Sequence, residues 1–317
     1  MSKKSKKPQH SFTVITAAYN SEKYIDKCIM AVARSNYDLS KVEHIIVDDG
    51  STDSTAAIVE SYAKKYPHIK LYRKKNANWG GVMNYVKDNK LIHNDYVVIC
   101  DSDDVITRNA FRHVNKSVDD ADFAIGGFYF WNGKHRNFPI LPYYYFFKRH
   151  MRDHKFKKMY ASTPVPFSYY TKSTMFYASP RFKENVPYQD IPFFFWSQRS
   201  AKMIVNIPHF LGKYWSVRPN NTTSQAIAVK DKNFQLFMDN MHYLEDIDES
   251  TFAFFYLLRF PKWFDVVKQN NIKFTFKTAP KVRILPLYLR WVTWLIYRTK
   301  VKKYFVIEKP KKDKKKK

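Results

Sequence analysis

The sequence predicts an α/β fold in which helices flank a mixed, mainly parallel sheet, followed by a helical, basic C-terminal appendage. Short apolar runs alternate with segments of helical spacing through the first 120 residues, and this alternation is typical of parallel β-α-β units. After residue 120 the alternation fades. The C-terminal part is rich in bases and aromatics, so it is predicted to form a separate region.

Each apolar run is short, contains β-branched residues and ends in turn-forming residues, as buried strands do. The first run, for example, ends at Tyr19, Asn20 and Ser21. The predicted strands are residues 11–18, 43–47, 69–72, 96–100, 124–131 and 203–207, and the predicted helices are residues 22–34, 54–66 and 79–89. Residues 214–224 are polar and predicted to form a loop.

Composition excludes several classes of protein. Among 317 residues, 45% are hydrophobic, which argues against a disordered chain. Cys28 and Cys100 are the only cysteines and lie in apolar contexts, so they are predicted to be core residues of a protein in a reducing compartment. We expect no secretory signal and no membrane-spanning helix. The net charge of +27 calls for an anionic partner: nucleic acid, acidic lipid or nucleotide phosphates.

Acidic residues follow two of the predicted strands directly. Asp48 and Asp49 follow one, and Asp101, Asp103 and Asp104 follow another. Ligands of open α/β sheets bind at the carboxyl ends of the strands, so these acids are predicted to share one crevice. Two carboxylates in an Asp-x-Asp turn can hold Mg²⁺ or Mn²⁺, with bound phosphates completing the shell. The alternative is an acidic turn that caps the next helix.

Taken together, these motifs resemble the family 2 glycosyltransferases, which have the GT-A fold. The resemblance covers residues 11–225 in order. Its motifs are VITAAYN at 14–20, IVDDGSTD at 46–53, DSDD at 101–104, YQD at 188–190 and the segment 214–224. It implies metal-assisted, inverting transfer of a hexose from a nucleotide-sugar, most often UDP-linked, to a hydroxyl acceptor.

The resemblance also implies roles for individual residues. Ala17, Ala18 and Tyr19 match the turn that cradles the nucleotide. Asp49 matches the carboxylate that accepts from uracil, with Asp48 beside it. The segment 78–84 flanks the nucleotide and first phosphate, and it includes the implied donor contacts Asn78, Gly80 and Asn84. Within it, Met83 stands where the family often has Arg.

The remaining implied roles concern the metal, the base and a closing loop. Asp101, Ser102 and Asp103 match the donor- and metal-binding D-x-D, with Asp104 as a further metal contact. Asp190 matches the catalytic base, although Gln189 replaces the usual preceding Glu. The loop that closes on the diphosphate is matched by Arg218, Thr223 and Ser224.

The residues around Asp190 are compatible with the same role, although without the resemblance the sequence favours a helix N-cap at this position. An inverting transfer needs one carboxylate to deprotonate the acceptor hydroxyl. The apolar neighbours of Asp190 predict a raised pKa, which suits a general base. The alternative for Asp190 is an N-cap before Pro192. His209 is either an extra metal ligand or, as a lone histidine usually is, a structural residue.

The C-terminal part carries two further predictions. On a helix, residues 281–300 form an apolar face with an arginine edge, which is typical of a helix lying in a membrane surface. Packing of that face on the catalytic domain is the alternative. Residues 309–317 hold seven lysines and one aspartate, so this tail is expected to meet an anionic membrane surface. Residues 143–160 are predicted to meet the acceptor or a lipid, or to form a helical lid.

These interpretations give a complete expectation for the chain. Residues 1–10 form a basic tail, and residues 11–225 form the catalytic domain. That domain has a donor half at 11–120 and an acceptor half at 121–225. Residues 226–308 form a helical region, and residues 309–317 form the lysine-rich tail. We expect an enzyme peripherally bound to the cytoplasmic membrane face, acting on a lipid-linked or glycan acceptor. The alternatives are transfer to a soluble or protein acceptor and an inactive basic module that binds membrane or nucleic acid. Self-association into a homo-oligomer is a further open prediction. Because acids cluster at the presumed ligand edge, we expect no nucleic-acid partner.

Overall fold

The computed structural model describes residues 9–131, 137–140, 150–151, 165–186, 189–215, 268, 274–276, 295 and 297–307. The chain forms two compact units: one comprises residues 1–157 and 161–219, and the other comprises residues 158–160 and 220–317.

The first unit is built on a ten-stranded mixed sheet flanked by helices. Its strands are β1 (Phe12–Ala18), β2 (Val42–Asp48), β3 (Ile69–Arg73), β4 (Tyr96–Ile99), β5 (Val105–Ile106), β6 (Phe123–Trp131), β7 (Asn137–Ile140), β8 (His150–Met151), β9 (Tyr169–Lys172) and β10 (Ile204–Trp215). Its helices are α1 (Ile25–Ala33), α2 (Thr55–Lys65), α3 (Asn78–Asp88), α4 (Ala110–Ser117), α5 (Ser173–Ala178) and α6 (Asp190–Ser200).

Strand order places the carboxyl ends of the first and fourth strands side by side. The main path through the sheet is β3-β2-β1-β4-β9-β6-β10-β5, and the pairs β3-β2, β2-β1 and β1-β4 are parallel. The chain proceeds from β1 outward to β3 and then returns to the other side of β1 for β4. This reversal of strand order creates a crevice beyond the carboxyl ends of β1 and β4.

The second half of the sheet mixes the two strand directions. β9 pairs antiparallel with both β4 and β6, whereas β10 runs parallel to β6 through two register shifts. The α/β fold with a mixed sheet is thus confirmed, and the parallel arrangement is concentrated in the donor half. The short strands β5, β7, β8 and β9 lack a long apolar run and were not predicted.

The core explains why these segments adopt these structures. β1 carries buried residues on both faces, as a central strand covered by helices must. α1 buries Ile25, Cys28, Ile29 and Val32, whose spacing of three and four residues is that of one helix face. Cys28 and Cys100 are buried free thiols, as predicted for core residues.

One predicted loop proves to be partly a strand. Tyr214 and Trp215, expected to begin a polar loop, are the last residues of β10 and pair with Phe130 and Trp131 of β6. The ladder with β6 supplies backbone hydrogen bonds that the local sequence does not reveal, so β10 extends well beyond the predicted residues 203–207.

The described part of the second unit is small. β11 (Phe274–Phe276) pairs in parallel with β12 (Phe305–Ile307), and residues 297–301 form a π-helical turn. The region expected to be helical therefore also contains strands, because these aromatic and β-branched triplets favour pairing. Most of the predicted 281–300 helix, the 143–160 segment except His150 and Met151, residues 1–8 of the N-terminal tail and the tail 309–317 lie outside the described residues. Over the described part of the chain, no helix has the length and apolarity that crossing a bilayer requires.

Candidate active site

The turns that follow β1, β2 and β4 are hydrogen-bonded to one another. After β1, the left-handed residue Asn20 (φ 47°) accepts from the Thr52 backbone N–H at 2.9 Å, which links the first turn to the second. The Ser21 hydroxyl lies 2.7 Å from that of Ser102, which links the first turn to the fourth strand. Asparagine tolerates this backbone conformation better than most residues, so a compact turn is accessible here. Ala17 and Ala18 end β1 at this edge, and Tyr19, which follows the strand, is 52% exposed.

Asp49 lies just beyond β2 in a cationic and polar setting. Its Oδ1 accepts from Lys74 Nζ at 2.7 Å and from the Ala77 backbone N–H at 3.1 Å. Burial raises the pKa of Asp49 above its usual value, and Lys74 and the Ala77 N–H partly offset this. Its neighbour Asp48 is also buried, and its Oδ1 accepts from the Ser51 backbone N–H at 3.1 Å, so it stabilises the turn.

The acidic turn after β4 holds its carboxylates close together. Asp101 Oδ1 accepts from the Trp79 indole at 3.2 Å. Asp104 is 1% exposed, and its Oδ1 accepts from the Trp215 backbone N–H at 3.1 Å. Burial, followed by the charges of Asp103 and Asp101, raises the pKa of Asp104 well above its usual range. Its Oδ2 has no hydrogen-bond partner within the described ranges.

Asp190 is the first residue of α6, one position after the capping residue Gln189. Burial raises the pKa of Asp190 to about 7, although the backbone N–H groups of Asp190 and Ile191 lower it in part. The side chain therefore sits at a helix N-terminus without occupying the cap position. Gln189 is 2% exposed, and its Oε1 accepts from the Lys183 backbone N–H at 2.9 Å, so it fixes the segment that leads into this helix.

Two tyrosines show that the acids lie in one region. Burial raises the pKa of Tyr214 above its usual value, and the charges of Asp104, Asp103, Asp101 and Asp190 raise it further. Burial also raises the pKa of Tyr169, with contributions from Asp190 and Asp101. Because Coulomb interactions weaken with distance, the acids that act on one phenol lie within electrostatic range of it. The predicted base and the acidic turn therefore lie in the same region of the structure.

Helix α3 connects this group to Asp49. The helix begins just after Ala77, which donates to Asp49. At Gly80 a Cβ atom would lie 2.2 Å from the Lys183 carbonyl oxygen and 3.3 Å from Gln189 Cγ, so the helix and the approach to Asp190 are in close contact. Asn78 opens the helix with φ 62°.

Comparison with known proteins identifies the family. The profile described as "Glycosyl transferase family 2" matches residues 13–176, just over half of the chain. This chain belongs to glycosyl transferase family 2. The enzyme is thus a glycosyltransferase, and its first unit is a GT-A fold, as the resemblance implied.

A curated relative is also a glycosyltransferase, and two solved structures have a similar fold. The uncharacterized glycosyltransferase MG060 homolog of Mycoplasma pneumoniae is 29% identical over 304 residues, 94% of this chain and 99% of that protein. The structure of S. aureus TarS 1–349 with UDP-GlcNAc superposes with a TM-score of 0.65 at 19% identity, covering 93% of this chain and 89% of that one. Mannosyltransferase PcManGT from Pyrobaculum calidifontis, with GDP-Man and Mn²⁺, gives 0.51 at 15% identity, covering 93% and 86%.

The acidic turn of this glycosyltransferase suits a divalent cation. Carboxylates are the ligands that Mg²⁺ and Mn²⁺ prefer, and a cation would relieve the mutual repulsion recorded at Asp104 and pair its unpartnered oxygen. Among the residues that the structure describes, no group of three His, Cys, Asp or Glu side chains is arranged to hold a metal ion. Cation binding at Asp101, Asp103 and Asp104 therefore stays a prediction. His209 instead stacks on His113, with ring centroids 3.6 Å apart.

Two predicted donor contacts are engaged within the protein. Asn84 is 1% exposed, and its amide donates to the Phe182 carbonyl and to Glu184, both at 2.9 Å, while it accepts from the Phe182 N–H. Gly80 faces Lys183. Both residues hold the segment before Asp190, and their contact with a donor stays a prediction. Arg218, Thr223 and Ser224 lie outside the described residues.

Sequence reasoning did not single out four residues that shape the site. Lys74 pairs with Asp49, and the Trp79 indole donates to Asp101. Tyr169 and Tyr214 are the two phenols whose pKa values the nearby carboxylates raise. Trp79 belongs to the recognised segment 78–84, so its position gave a signal. Nothing local distinguishes Lys74 from other surface lysines, because its role depends on the buried acid opposite it.

Proposed function

We propose that this glycosyltransferase transfers a hexose from a UDP-linked sugar to an acceptor hydroxyl with inversion, with Asp190 as the general base. The observation that carries the proposal is that four acids, Asp104, Asp103, Asp101 and Asp190, all raise the pKa of the one phenol of Tyr214. A base with a pKa near 7, next to a turn suited to a cation, is the arrangement that such a transfer requires.

The proposed reaction balances in one displacement. The Asp190 carboxylate accepts the proton of the acceptor hydroxyl as that oxygen forms a bond to the anomeric carbon. The bond from the anomeric carbon to the diphosphate oxygen breaks, and its electron pair leaves with UDP. Asp190 then returns the proton to solvent. A divalent cation, when bound to Asp101 and Asp103, supplies positive charge to the leaving diphosphate.

The chain's own residues would hold the rest of the donor. Asp49 presents a buried acceptor to the nucleotide base, and the hydrogen bond from Lys74 favours its ionised form against the effect of burial. Tyr19 is exposed beside it and offers a ring to the base or ribose. The complexes of TarS with UDP-GlcNAc and UDP support a UDP-linked donor on a similar fold.

For the acceptor, we propose a lipid-linked or glycan precursor held at the cytoplasmic membrane face. The charge of +27 and the lysine-rich tail favour an anionic surface. TarS of Staphylococcus aureus, 31% identical over 109 residues (34% of this chain and 19% of TarS), is named as a poly(ribitol-phosphate) β-N-acetylglucosaminyltransferase, and such a polymeric acceptor supports a cell-envelope glycan here. Transfer to a soluble or protein acceptor is the alternative.

A donor screen tests the proposal. Purified protein is incubated with UDP-, GDP- and dTDP-linked hexoses in Mn²⁺ or Mg²⁺, and nucleotide release is measured. We expect release from a UDP-sugar, loss of that release with a chelator, and release that is about 10³-fold slower in Asp190→Asn. Turnover of GDP-sugars alone would contradict the donor assignment, and full activity of Asp190→Asn would contradict the base.

A further inference from the structure

A basic cavity lies behind the acidic turn and is separate from the donor edge. It has a volume of about 880 Å³ and is bounded by α1, by Tyr62 of α2, by residues 105–108 and by Lys213 of β10. Its lining includes none of Tyr19, Asp49, Asp101, Asp103 or Asp190. The volume falls within the roughly 300–1,000 Å³ typical of small-molecule sites.

The charges lining this cavity are strongly unbalanced. Four basic side chains line it, Lys27, Arg34, Arg108 and Lys213, against the single acid Asp26. The carboxylate of Asp26 already accepts a hydrogen bond from the Tyr62 hydroxyl. Lys27, Arg34 and Arg108 are exposed, so an anion from solvent can reach their charges.

The lining also indicates the shape of the ligand. Arginine forks and lysine ammonium groups together match a phosphate, which accepts several charged hydrogen bonds. The Ser35 hydroxyl oxygen is buried at this cavity and has no hydrogen-bond partner in the described part of the chain. Met30, Ala31 and Val105 supply an apolar wall. A cavity much larger than one phosphate, with a free hydroxyl, suits a phosphate carried on a polyol.

The cavity shares its strands with the acidic turn. Val105 follows Asp104 directly and pairs with Lys213. Two residues beyond Lys213, the Trp215 backbone N–H donates to Asp104, and the Lys27 ammonium lies 5.4 Å from the centroid of the Trp215 ring. A ligand in the cavity would therefore contact the strands that support the acidic turn without entering the donor site.

We propose that this cavity is a second binding site, for a phosphorylated polyol, either free or as a phospholipid headgroup. The proposal does not depend on the identity of the sugar donor. Glycerol 3-phosphate carries both chemical features and serves as the probe.

The test is calorimetric titration of the full chain with glycerol 3-phosphate at fixed ionic strength, with and without saturating UDP. We expect saturable binding that UDP leaves unchanged. The double variant Arg34→Gln/Arg108→Gln should bind at least about tenfold more weakly, because each lost arginine removes charged hydrogen bonds. The control Arg112→Gln/Lys90→Gln removes the same charge from exposed positions outside the cavity and should stay within about twofold.

Three results would overturn the proposal. The first is that Arg34→Gln/Arg108→Gln binds glycerol 3-phosphate as tightly as the wild type while its melting curve matches that of the wild type. The others are displacement of glycerol 3-phosphate by UDP, and binding of malonate as tight as that of glycerol 3-phosphate. Flotation on phosphatidylglycerol and phosphatidylcholine vesicles then distinguishes a phospholipid headgroup from a free phosphorylated polyol as the ligand. Greater retention of wild type than of the cavity variant on phosphatidylglycerol supports the headgroup, and equal retention supports the free phosphate.

Discussion

Asp190 experiences two opposing influences on its carboxyl group. Burial raises its pKa to about 7, whereas the N–H groups of its helix terminus lower it. The net effect keeps a proton on the acid to an unusually high pH. A carboxylate in this position is a stronger base than an exposed aspartate, at a cost to the stability of the folded state.

Replacing Asp190 with Asn tests both consequences. We expect kcat to fall by about 10³-fold because the general base is lost, while UDP binding persists. The folded-state pKa lies above the unfolded value, so the stability that Asp190 contributes is present at low pH and is lost as pH rises through about 7. The variant should therefore be more stable than wild type at pH 8, by about 2 kcal/mol, in denaturant titrations. If the variant were less stable than the wild type at pH 8, burial of the ionised Asp190 carboxylate would not be destabilising.

The pH profile of the wild type gives an independent prediction. Only the ionised form of Asp190 accepts a proton, so kcat/KM should rise with pH and level off above an apparent pKa of about 7. The measurement is initial rate against pH at saturating cation. An acid limb near 4, the range of an ordinary aspartate, would assign the base to another group.

Lys74 and Asp49 form a buried ion pair that supports the nucleotide edge. Their side chains are 15% and 4% exposed, with 2.7 Å between Nζ and Oδ1. Removing one partner leaves a buried charge unpaired, so Lys74→Met should lower the free energy of unfolding by about 3 kcal/mol and weaken UDP binding. The control Lys64→Met removes a lysine that pairs with Glu60 at 3.6 Å where both are exposed, and it should change stability by less than about 0.5 kcal/mol. Equal effects of the two variants would show that burial of the Asp49 pair is unimportant.

At the scale of elements, helix α3 joins the nucleotide edge to the catalytic base. Asn84 exchanges two hydrogen bonds with Phe182 across 98 residues of sequence, and Gly80 lets the helix approach Lys183 closely. The segment before Asp190 is therefore fixed by α3. Helix α3 therefore helps to position the base, although none of the acids of the proposed site lies on it.

Gly80→Ala tests this coupling. The added Cβ would lie 2.2 Å from the Lys183 carbonyl oxygen, so the helix and the segment must separate. We expect a loss of about 2 kcal/mol of stability, as for overpacked cores, and a fall in kcat that exceeds the change in UDP affinity. Ala57→Met, on the exposed face of α2, adds more volume and should leave both unchanged. An unaltered kcat in a folded Gly80→Ala protein would show that α3 does not determine the position of Asp190.

The same elements show what the sequence could and could not predict. Strands β1 to β4 and helices α1 to α3 were predicted closely, because each is a continuous apolar run or a periodic segment bounded by turn residues. β9 and the second half of β10 were not, since their pairing partners lie 40 or more residues away. Likewise, the acids were found because turns at strand ends are local features. Tyr169 and Tyr214 were missed because their proximity to those acids arises only in the folded sheet.

At the scale of the whole molecule, charge is distributed unevenly with respect to function. The chain carries 55 Lys and Arg against 28 Asp and Glu, yet acids surround the proposed site of transfer. A basic molecule with an acidic site fits an enzyme that meets an anionic surface in one place and binds a cation and a diphosphate in another.

Removing residues 309–317 tests where that surface is met. The tail has seven lysines and one aspartate, and each cation near an anionic leaflet contributes up to about 1 kcal/mol. In flotation with phosphatidylglycerol vesicles at low salt, we expect the truncated chain to bind at least about tenfold more weakly, and wild-type binding to fall as salt rises, because the interaction is screened. A chain in which the seven lysines are replaced by glutamine keeps the length and should behave like the truncation. Equal binding to phosphatidylcholine and phosphatidylglycerol would assign association to an apolar surface, such as the face predicted for residues 281–300. Retention of donor hydrolysis by the truncated chain would show that the tail acts on location and not on chemistry.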